Sequence, residues 1–202
     1  MLEDPKKYWR VQELSQLAEV SMGLASKVKQ RLLDLEYVTG QDLAFRLHTP
    51  ELVLKEWSKF YSYKENQKLP CYGPGDRQQI EEMLSKYCKD KKIKYALTLF
   101  SGAEYVAPFV HGVSQTAAYV DADLQPIVDD MNWKPVASGA NILLLKPFDD
   151  FILHNLHQVD QSHYWHPVVS DIQLYLDLAS HPARGEDAAQ FLLDTVLEPK
   201  WQ

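Results

Sequence analysis

The feature that most constrains this fold is a pair of short amphipathic helices predicted within the first fifty residues. Val11, Leu14 and Leu17 recur at a spacing of three, and Ala18 follows Leu14 at a spacing of four, which is typical of a helix with one buried face. Ser21 is a favourable N-cap for a second helix. The buried stripe of that helix is predicted to be Ala25, Val28, Leu32 and Leu35. Two short helices joined by a tight turn predict a helix-turn-helix.

A β-hairpin is predicted directly after these helices. Residues 37–48 show two short strands around a turn at Gly40-Gln41-Asp42, with Leu43, Phe45 and Leu47 alternating inward. A hairpin in this place is the wing of a winged helix. A complete winged helix has a further helix before Val11, and only a short segment with Pro5 precedes Val11 here. Either the chain is a fragment of a longer protein, or the missing segment is supplied otherwise. We therefore expect a partial winged helix over residues 1–49, with Leu14, Val28 and Leu32 incompletely covered.

The second helix has the composition of a DNA-recognition helix. Its small residues permit close approach to a groove, its cations can reach phosphates, and Ser26 or Gln30 can read base edges. Arg46 on the hairpin extends the backbone contacts. The candidate DNA-binding residues are Ser21, Met22, Gly23, Ser26, Lys27, Lys29, Gln30, Arg31 and Arg46. Helix pairs followed by a hairpin also serve as protein-docking modules, so a docking or ligand-sensing role stays open.

The charge is distributed unevenly along the chain. The formal net charge is −7, yet residues 1–50 carry seven Lys/Arg against seven Asp/Glu, while residues 151–202 carry two Lys/Arg against seven Asp/Glu. A basic face on the first segment is therefore compatible with the acidic total. The sequence shows no membrane-spanning run and no signal peptide, and only Cys71 and Cys88 as cysteines, so we expect a cytoplasmic protein.

The remaining chain predicts a mixed α/β region. Thr49-Pro50-Glu51 starts a bridging helix, and the residues from Ser62 to Gly75, rich in proline and glycine, predict a loop, so that 50–75 forms a bridging helix and linker. Residues 76–202 alternate helices with short strands. We expect an α+β fold in which a sheet of four to six strands is covered by helices.

Two clusters are possible metal sites. Asp121 and Asp123 end a predicted strand, where paired carboxylates could hold magnesium for nucleotidyl or phosphoryl transfer; the simpler interpretation makes Asp123 a helix N-cap. In a hairpin centred near Asp160, His157 would face His163 and His154 would face His166. A shift of one residue in register destroys that pairing. No catalytic motif is present, and neither an enzyme nor a cofactor is predicted.

The order of several motifs resembles one branch of the AbiEi-type antitoxins of type IV toxin–antitoxin, abortive-infection systems. The helix-turn-helix pattern over residues 11–38 is shared by many regulators, whereas the later motifs are more specific. These are Thr49-Pro50-Glu51-Leu52 with Glu56-Trp57, Tyr95-Ala96-Leu97-Thr98, Ala107-Pro108-Phe109-Val110, Ser138-Gly139-Ala140-Asn141-Ile142, Gln173-Leu174-Tyr175-Leu176-Asp177-Leu178 and Arg184-Gly185-Glu186-Asp187-Ala188-Ala189.

This resemblance implies a transcriptional autorepressor that binds double-stranded promoter DNA through the winged helix. It also implies a carboxyl-terminal antitoxin domain over residues 76–202. The toxin paired with such proteins is a nucleotidyltransferase, which a type IV antitoxin need not bind directly. A regulator without a toxin remains an alternative.

Overall fold

The computed structural model describes residues 1–41, 44–109, 112–161 and 164–202. The chain divides into two compact units. Unit 1 comprises Met1–Phe60 with Glu198–Gln202, and unit 2 comprises Tyr61–Leu197. Helices and short strands intermix along the chain, which confirms the α+β prediction. No helix within the described ranges is long and apolar enough to cross a lipid bilayer.

Unit 1 contains both helices and the hairpin that were expected from the first fifty residues. Its elements are β1 (Trp9–Arg10), α1 (Val11–Leu17), α2 (Met22–Asp34), β2 (Val38–Gln41), β3 (Ala44–Leu47), α3 (Pro50–Ser58) and α9 (Glu198–Trp201). The strands form an antiparallel sheet in the order β1-β3-β2. The predicted turn residue Asp42 and inward-facing Leu43 lie outside the described residues.

The core of unit 1 is small because the sheet supplies nearly all of it. Trp9, Val38, Phe45 and Leu47 are buried and form one cluster. Partly buried side chains of both helices pack against this cluster. Among them are Leu14 of α1 and Leu32 and Leu33 of α2. At the other end of the chain, the Trp201 Nε1–H donates to the Leu2 carbonyl at 3.0 Å, which ties α9 to the amino-terminal residues.

Unit 2 is built on a larger sheet. Its strands are β4 (Gln67–Tyr72), β5 (Tyr95–Leu97), β6 (Thr116–Val120), β7 (Lys134–Pro135), β8 (Ile142–Lys146), β9 (His157–Gln161) and β10 (Tyr164–Val168). Its helices are α4 (Arg77–Lys91), α5 (Leu99–Val106), α6 (Leu124–Asp130), α7 (Asp171–Ala179) and α8 (Gly185–Leu192), with a π-helical turn at Leu193–Leu197.

The seven strands lie in the order β7-β4-β8-β6-β5-β10-β9. The pairs β6–β8 and β5–β10 are parallel, and the other neighbours are antiparallel. The central strand β6 is buried along its whole length, because helices cover the sheet. The sheet thus exceeds the four to six strands expected from the sequence.

The prediction of a loop over residues 62–75 is wrong for the part that forms β4. Gln67–Tyr72 pairs with both β7 and β8, although Pro70 lies within it. Proline usually marks an edge strand or a loop because it lacks a backbone N–H. Here the Pro70 carbonyl still accepts from the Val136 N–H at 3.1 Å. The strand could not be recognised because its residues are polar at one end and interrupted by proline.

A tight turn joins β5 to α5. Leu99 has a φ of +50°, which is rare for a residue with a side chain, and it is buried. The helix therefore begins at Leu99, with Thr98 in the N-cap position. Gly102 leaves room for this turn, since a Cβ there would lie 3.1 Å from the Leu97 carbonyl oxygen. Thr98 is fixed by this geometry beneath α7, the helix that carries Asp177.

Candidate nucleic-acid interface and buried polar networks

The start of α2 is fixed by local hydrogen bonds. The Ser21 Oγ accepts from the Leu24 N–H at 3.2 Å, as an N-cap should, which confirms the predicted boundary. The Val20 N–H donates to the Ser15 carbonyl at 2.9 Å, and the Ser15 hydroxyl lies 3.2 Å from the Met22 Sδ. These contacts hold α1 and α2 in one fixed arrangement.

Most of the candidate residues on α2 project from unit 1. Seven are exposed: Ser21, Met22, Gly23, Ser26, Lys27, Gln30 and Arg31. Lys29 is half-buried, and its Nζ lies 5.2 Å from the centre of the Phe45 ring, so it faces the core side of α2. Seven of the candidate residues on α2 are therefore accessible, and Lys29 is partly covered.

The exposed polar residues share one face of α2. Helical spacing of three and four aligns Gly23, Lys27 and Gln30, and Asp34 continues the row. The Gln30 Nε2 donates to the Asp34 Oδ1 at 2.9 Å. This bond orients the amide of Gln30 while leaving its carbonyl oxygen and second N–H available.

The predicted buried stripe of α2 is only partly buried. Ala25 and Leu32 are half-buried, whereas Val28 is 50% exposed and Leu35 is 38% exposed. The neighbouring Leu24 is 49% exposed. The expected incomplete cover over Leu14, Val28 and Leu32 is thus observed.

Arg46 lies on the outer side of β3. Its guanidinium carbon is 5.5 Å from the centre of the Tyr8 ring, a cation–π distance. The Arg46 Nε is buried and has no hydrogen-bond partner. Arg46 is therefore held against the sheet, on the face opposite to Phe45.

The structure places Asp121 and Asp123 in the turn between β6 and α6. The Asp123 side chain is 79% exposed and pairs with Lys146 Nζ at 2.6 Å, which lowers the pKa of its carboxyl group. Asp123 occupies the N-cap position of α6, the simpler of the two interpretations, although its side chain makes no capping bond. Asp121 is exposed in the turn after β6.

The histidines do not pair as the assumed turn requires. In the observed register His157 faces Val168 and His166 faces Val159, while His163 lies outside the described residues. The His157 Nε2 contacts the Asp171 Oδ1 at 2.8 Å. Across the described ranges, no three His, Cys, Asp or Glu side chains are grouped closely enough to hold a metal ion.

Unit 2 instead contains a buried polar network around Asp177, which sequence reasoning missed. The Asp177 Oδ1 accepts from the Tyr61 hydroxyl at 2.6 Å, the Tyr119 hydroxyl at 2.9 Å and the Gln173 Nε2 at 2.9 Å. The Oδ2 accepts from the Thr98 hydroxyl. Burial raises the pKa of Asp177 to about 6, although all four donors act to lower it. The signal was an acid inside the apolar run 172–178.

A second buried carboxylate lies on α4. Glu81 is fully buried and accepts two bonds from Arg77 Nη1, at 2.9 and 3.1 Å, and one from the Tyr105 hydroxyl at 2.5 Å. Burial raises the pKa of Glu81, while Tyr105 and Arg77 act to lower it. Both networks satisfy a buried charge with several donors, which is the arrangement of a structural core.

Comparison with known families shows to which family the chain belongs. Residues 46–198 match the family model of the AbiEi antitoxins, described as transcriptional regulators of type IV toxin–antitoxin systems. The chain belongs to this AbiEi family. No curated protein and no solved structure matches it.

The AbiEi match has a defined extent. It includes both buried networks of unit 2 and begins at Arg46, within β3. It leaves out α1 and α2, so the candidate DNA interface must be argued from its own geometry. The AbiEi family is a regulatory one.

Proposed function

We propose that this chain is a DNA-binding autorepressor whose residues 1–49 form a partial winged helix-turn-helix. The observation that carries the proposal is the exposed polar face of α2, which projects from unit 1 in a chain of the AbiEi regulator family. A helix of this kind enters the major groove of duplex DNA, with cations on the phosphates and polar side chains on base edges.

The proposal gives each exposed residue a role. Lys27 and Arg31 bind phosphates, and the absence of bulky side chains at Gly23 and Ser26 permits close approach. Gln30 reads a base edge. Ser21 and Met22 lie at the amino end of α2, where unpaired backbone N–H groups favour a phosphate. Arg46 contributes a backbone contact from the hairpin.

The test is duplex binding measured by fluorescence anisotropy over a range of salt concentrations, with DNA from upstream of the protein's own reading frame. Replacing Lys27 and Arg31 by glutamine should lower the slope of log K against log salt by about two, since each phosphate contact contributes about 0.9. Adding Lys29→Gln to this double variant should change the slope little further.

A matched control removes two lysines of unit 1 that lie off α2. Lys55 and Lys59 pair with Glu51 and Glu56 on α3, so the double glutamine variant has the same change in charge. It should keep the slope of the unaltered protein. Equal losses in both double variants would show that α2 has no special role.

We further propose that unit 2 carries the antitoxin activity, opposing a nucleotidyltransferase toxin without binding it directly. The family match over unit 2 supports this. A repressor works where the chromosome is, so the proposal includes a cytoplasmic location. Co-expression with a nucleotidyltransferase from the adjacent reading frame should restore growth without a stable complex; co-purification of the two in equal amounts would contradict the indirect mode.

A further inference from the structure

The outer face of the sheet in unit 1 carries a group of cationic and hydroxyl side chains. Trp9 pairs with Phe45 and Arg10 with Ala44, and the first pair is buried in the core. Because side chains alternate along strands, Arg10 and Arg46 lie on the opposite, outer face. Thr39 pairs with Arg46 and joins them there. We call Tyr8, Arg10, Thr39 and Arg46 the outer-sheet face.

The guanidinium of Arg46 has a defined orientation, but not all of its N–H donors have hydrogen-bond partners. Its guanidinium lies over the Tyr8 ring, and Tyr8 itself is 57% exposed. The buried Nε has no hydrogen-bond partner. A guanidinium has five N–H donors in a planar fork that matches the oxygens of a phosphate or carboxylate. Only the Nε is among the buried unpaired atoms, so an anion placed against Arg46 would engage the terminal N–H groups of the guanidinium.

Arg10 extends the outer-sheet face along the neighbouring strand. It is exposed, and its side chain makes no hydrogen bond or ion pair within the part of the chain that the structure describes. The Glu13 carboxylate, which the charge of Arg10 also stabilises, pairs directly with Lys7 Nζ at 2.5 Å. Arg10 therefore adds a second exposed cation to the outer-sheet face.

The positions of the two arginines favour a polyanion. Arg10 and Arg46 occupy diagonal sites on adjacent antiparallel strands, where Cβ atoms are roughly 7–8 Å apart. Each guanidinium can then hold a phosphate of its own, with the hydroxyls of Tyr8 and Thr39 as further donors. None of these side chains lies on α2, so the outer-sheet face is distinct from the surface to which base reading is assigned.

We propose that the outer-sheet face binds phosphodiester groups of nucleic acid, separately from α2. The proposal rests on the DNA-binding function above: it places the backbone contact of Arg46 on a second surface that also includes Arg10, Tyr8 and Thr39. Binding here is independent of base sequence, since arginines on phosphates fix position without reading bases.

The test is the double variant Arg10→Gln with Arg46→Gln, measured on the same duplex as before. The slope of log K against log salt should fall by about two, and affinity should drop at least tenfold at low salt. The ratio of affinities for the promoter and a scrambled duplex should stay unchanged.

Lys55→Gln with Lys59→Gln is again the control. Circular dichroism confirms folding, and if the double variant fails to fold, the single variants Arg10→Gln and Arg46→Gln replace it, each expected to lower the slope by about one.

Four outcomes are distinguishable. An unchanged slope in folded variants overturns the proposal. Loss of inorganic phosphate binding, followed by NMR, with DNA binding intact would mean a free-phosphate site and also overturns it. A reduced slope with an unchanged sequence ratio supports it. If the α2 variants bind normally while the outer-sheet variants do not, the assignment to α2 fails and the outer-sheet face stands.

Discussion

At the scale of single residues, Asp177 shows how unit 2 accommodates a charge that solvent cannot reach. Its carboxylate is fully buried, yet four side-chain donors surround it. The donors come from α7, from the segment before β4, from β6 and from the turn after β5. Asp177 therefore fixes the relative positions of segments far apart in the chain, and any loss of this carboxylate leaves several donors unpaired in the interior.

The buried carboxylate predicts a pH dependence of stability. Because its pKa is about 6 in the folded chain and 3.8 in its ordinary state, folding retains a proton that the unfolded chain releases. Its contribution to the free energy of unfolding is greatest below pH 4 and declines as the pH rises through 6, by on the order of 3 kcal/mol. Urea titrations at pH 4 to 7 should show this decline, and Asp177→Asn should make it clearly smaller, leaving the part that comes from the raised pKa of Glu81.

The matched control for this titration is Asp123→Asn. Asp123 is exposed and its pKa is lowered by Lys146, so this variant should retain the decline between pH 4 and 6. If Asp177→Asn leaves the decline intact, another group is responsible for it.

Gln30 is the residue for which base reading can be tested most directly. With one amide N–H engaged by Asp34, the carbonyl oxygen and second N–H can pair with N6 and N7 of adenine. Gln30→Ala should reduce the preference for adenine at one position by roughly 1–3 kcal/mol, which is about 5- to 150-fold. Selection from a randomised duplex measures this. A preference lost equally at every position would instead indicate a general defect in docking.

At the scale of elements, the sequence predicted best where a pattern is local. Periodicity and the N-cap Ser21 located α1 and α2, and alternation located β3. Patterns that depend on distant partners failed. Strand β4 is stabilised by two neighbours that its own sequence does not reveal, and periodicity alone does not set the register of β9 with β10. The Asp177 network was missed for the same reason.

The packing of α7 against α8 depends on the absence of a side chain at Gly185. A Cβ there would lie 2.3 Å from the Leu178 carbonyl oxygen and 2.8 Å from the His181 Cβ, so the helices would have to separate. Gly185→Ala should destabilise the protein by roughly 1–3 kcal/mol in urea titration. Gly23→Ala is the control: its nearest neighbour is the Ser21 Oγ at 4.0 Å, and alanine favours a helix, so stability should rise by up to about 1 kcal/mol. A stable Gly185→Ala would show that these helices can move apart freely.

At the scale of the whole molecule, the net charge belongs to one unit. Residues 1–60 carry nine Lys/Arg and nine Asp/Glu, whereas residues 61–197 carry eleven Lys/Arg and eighteen Asp/Glu. The acidic total therefore does not weaken the argument for a DNA-binding surface on unit 1. It does imply that a polyanion approaching the molecule is repelled by unit 2 at long range.

This repulsion predicts a salt-dependent rate of association with DNA. Asp121, Asp150 and Glu186 are exposed carboxylates of unit 2, and replacing them by Asn, Asn and Gln should raise the association rate several-fold at about 0.01 M salt, where charges act over about 30 Å. At about 0.1 M salt the range falls to about 10 Å, and the gain should largely vanish.

The control replaces the exposed Lys86, Lys89 and Lys92 by glutamine and should lower the low-salt rate. Stopped-flow fluorescence with a labelled duplex gives both rates. A gain of equal size at both salt concentrations would mean that these carboxylates touch the DNA directly, and the nucleic-acid surface would then have to include unit 2.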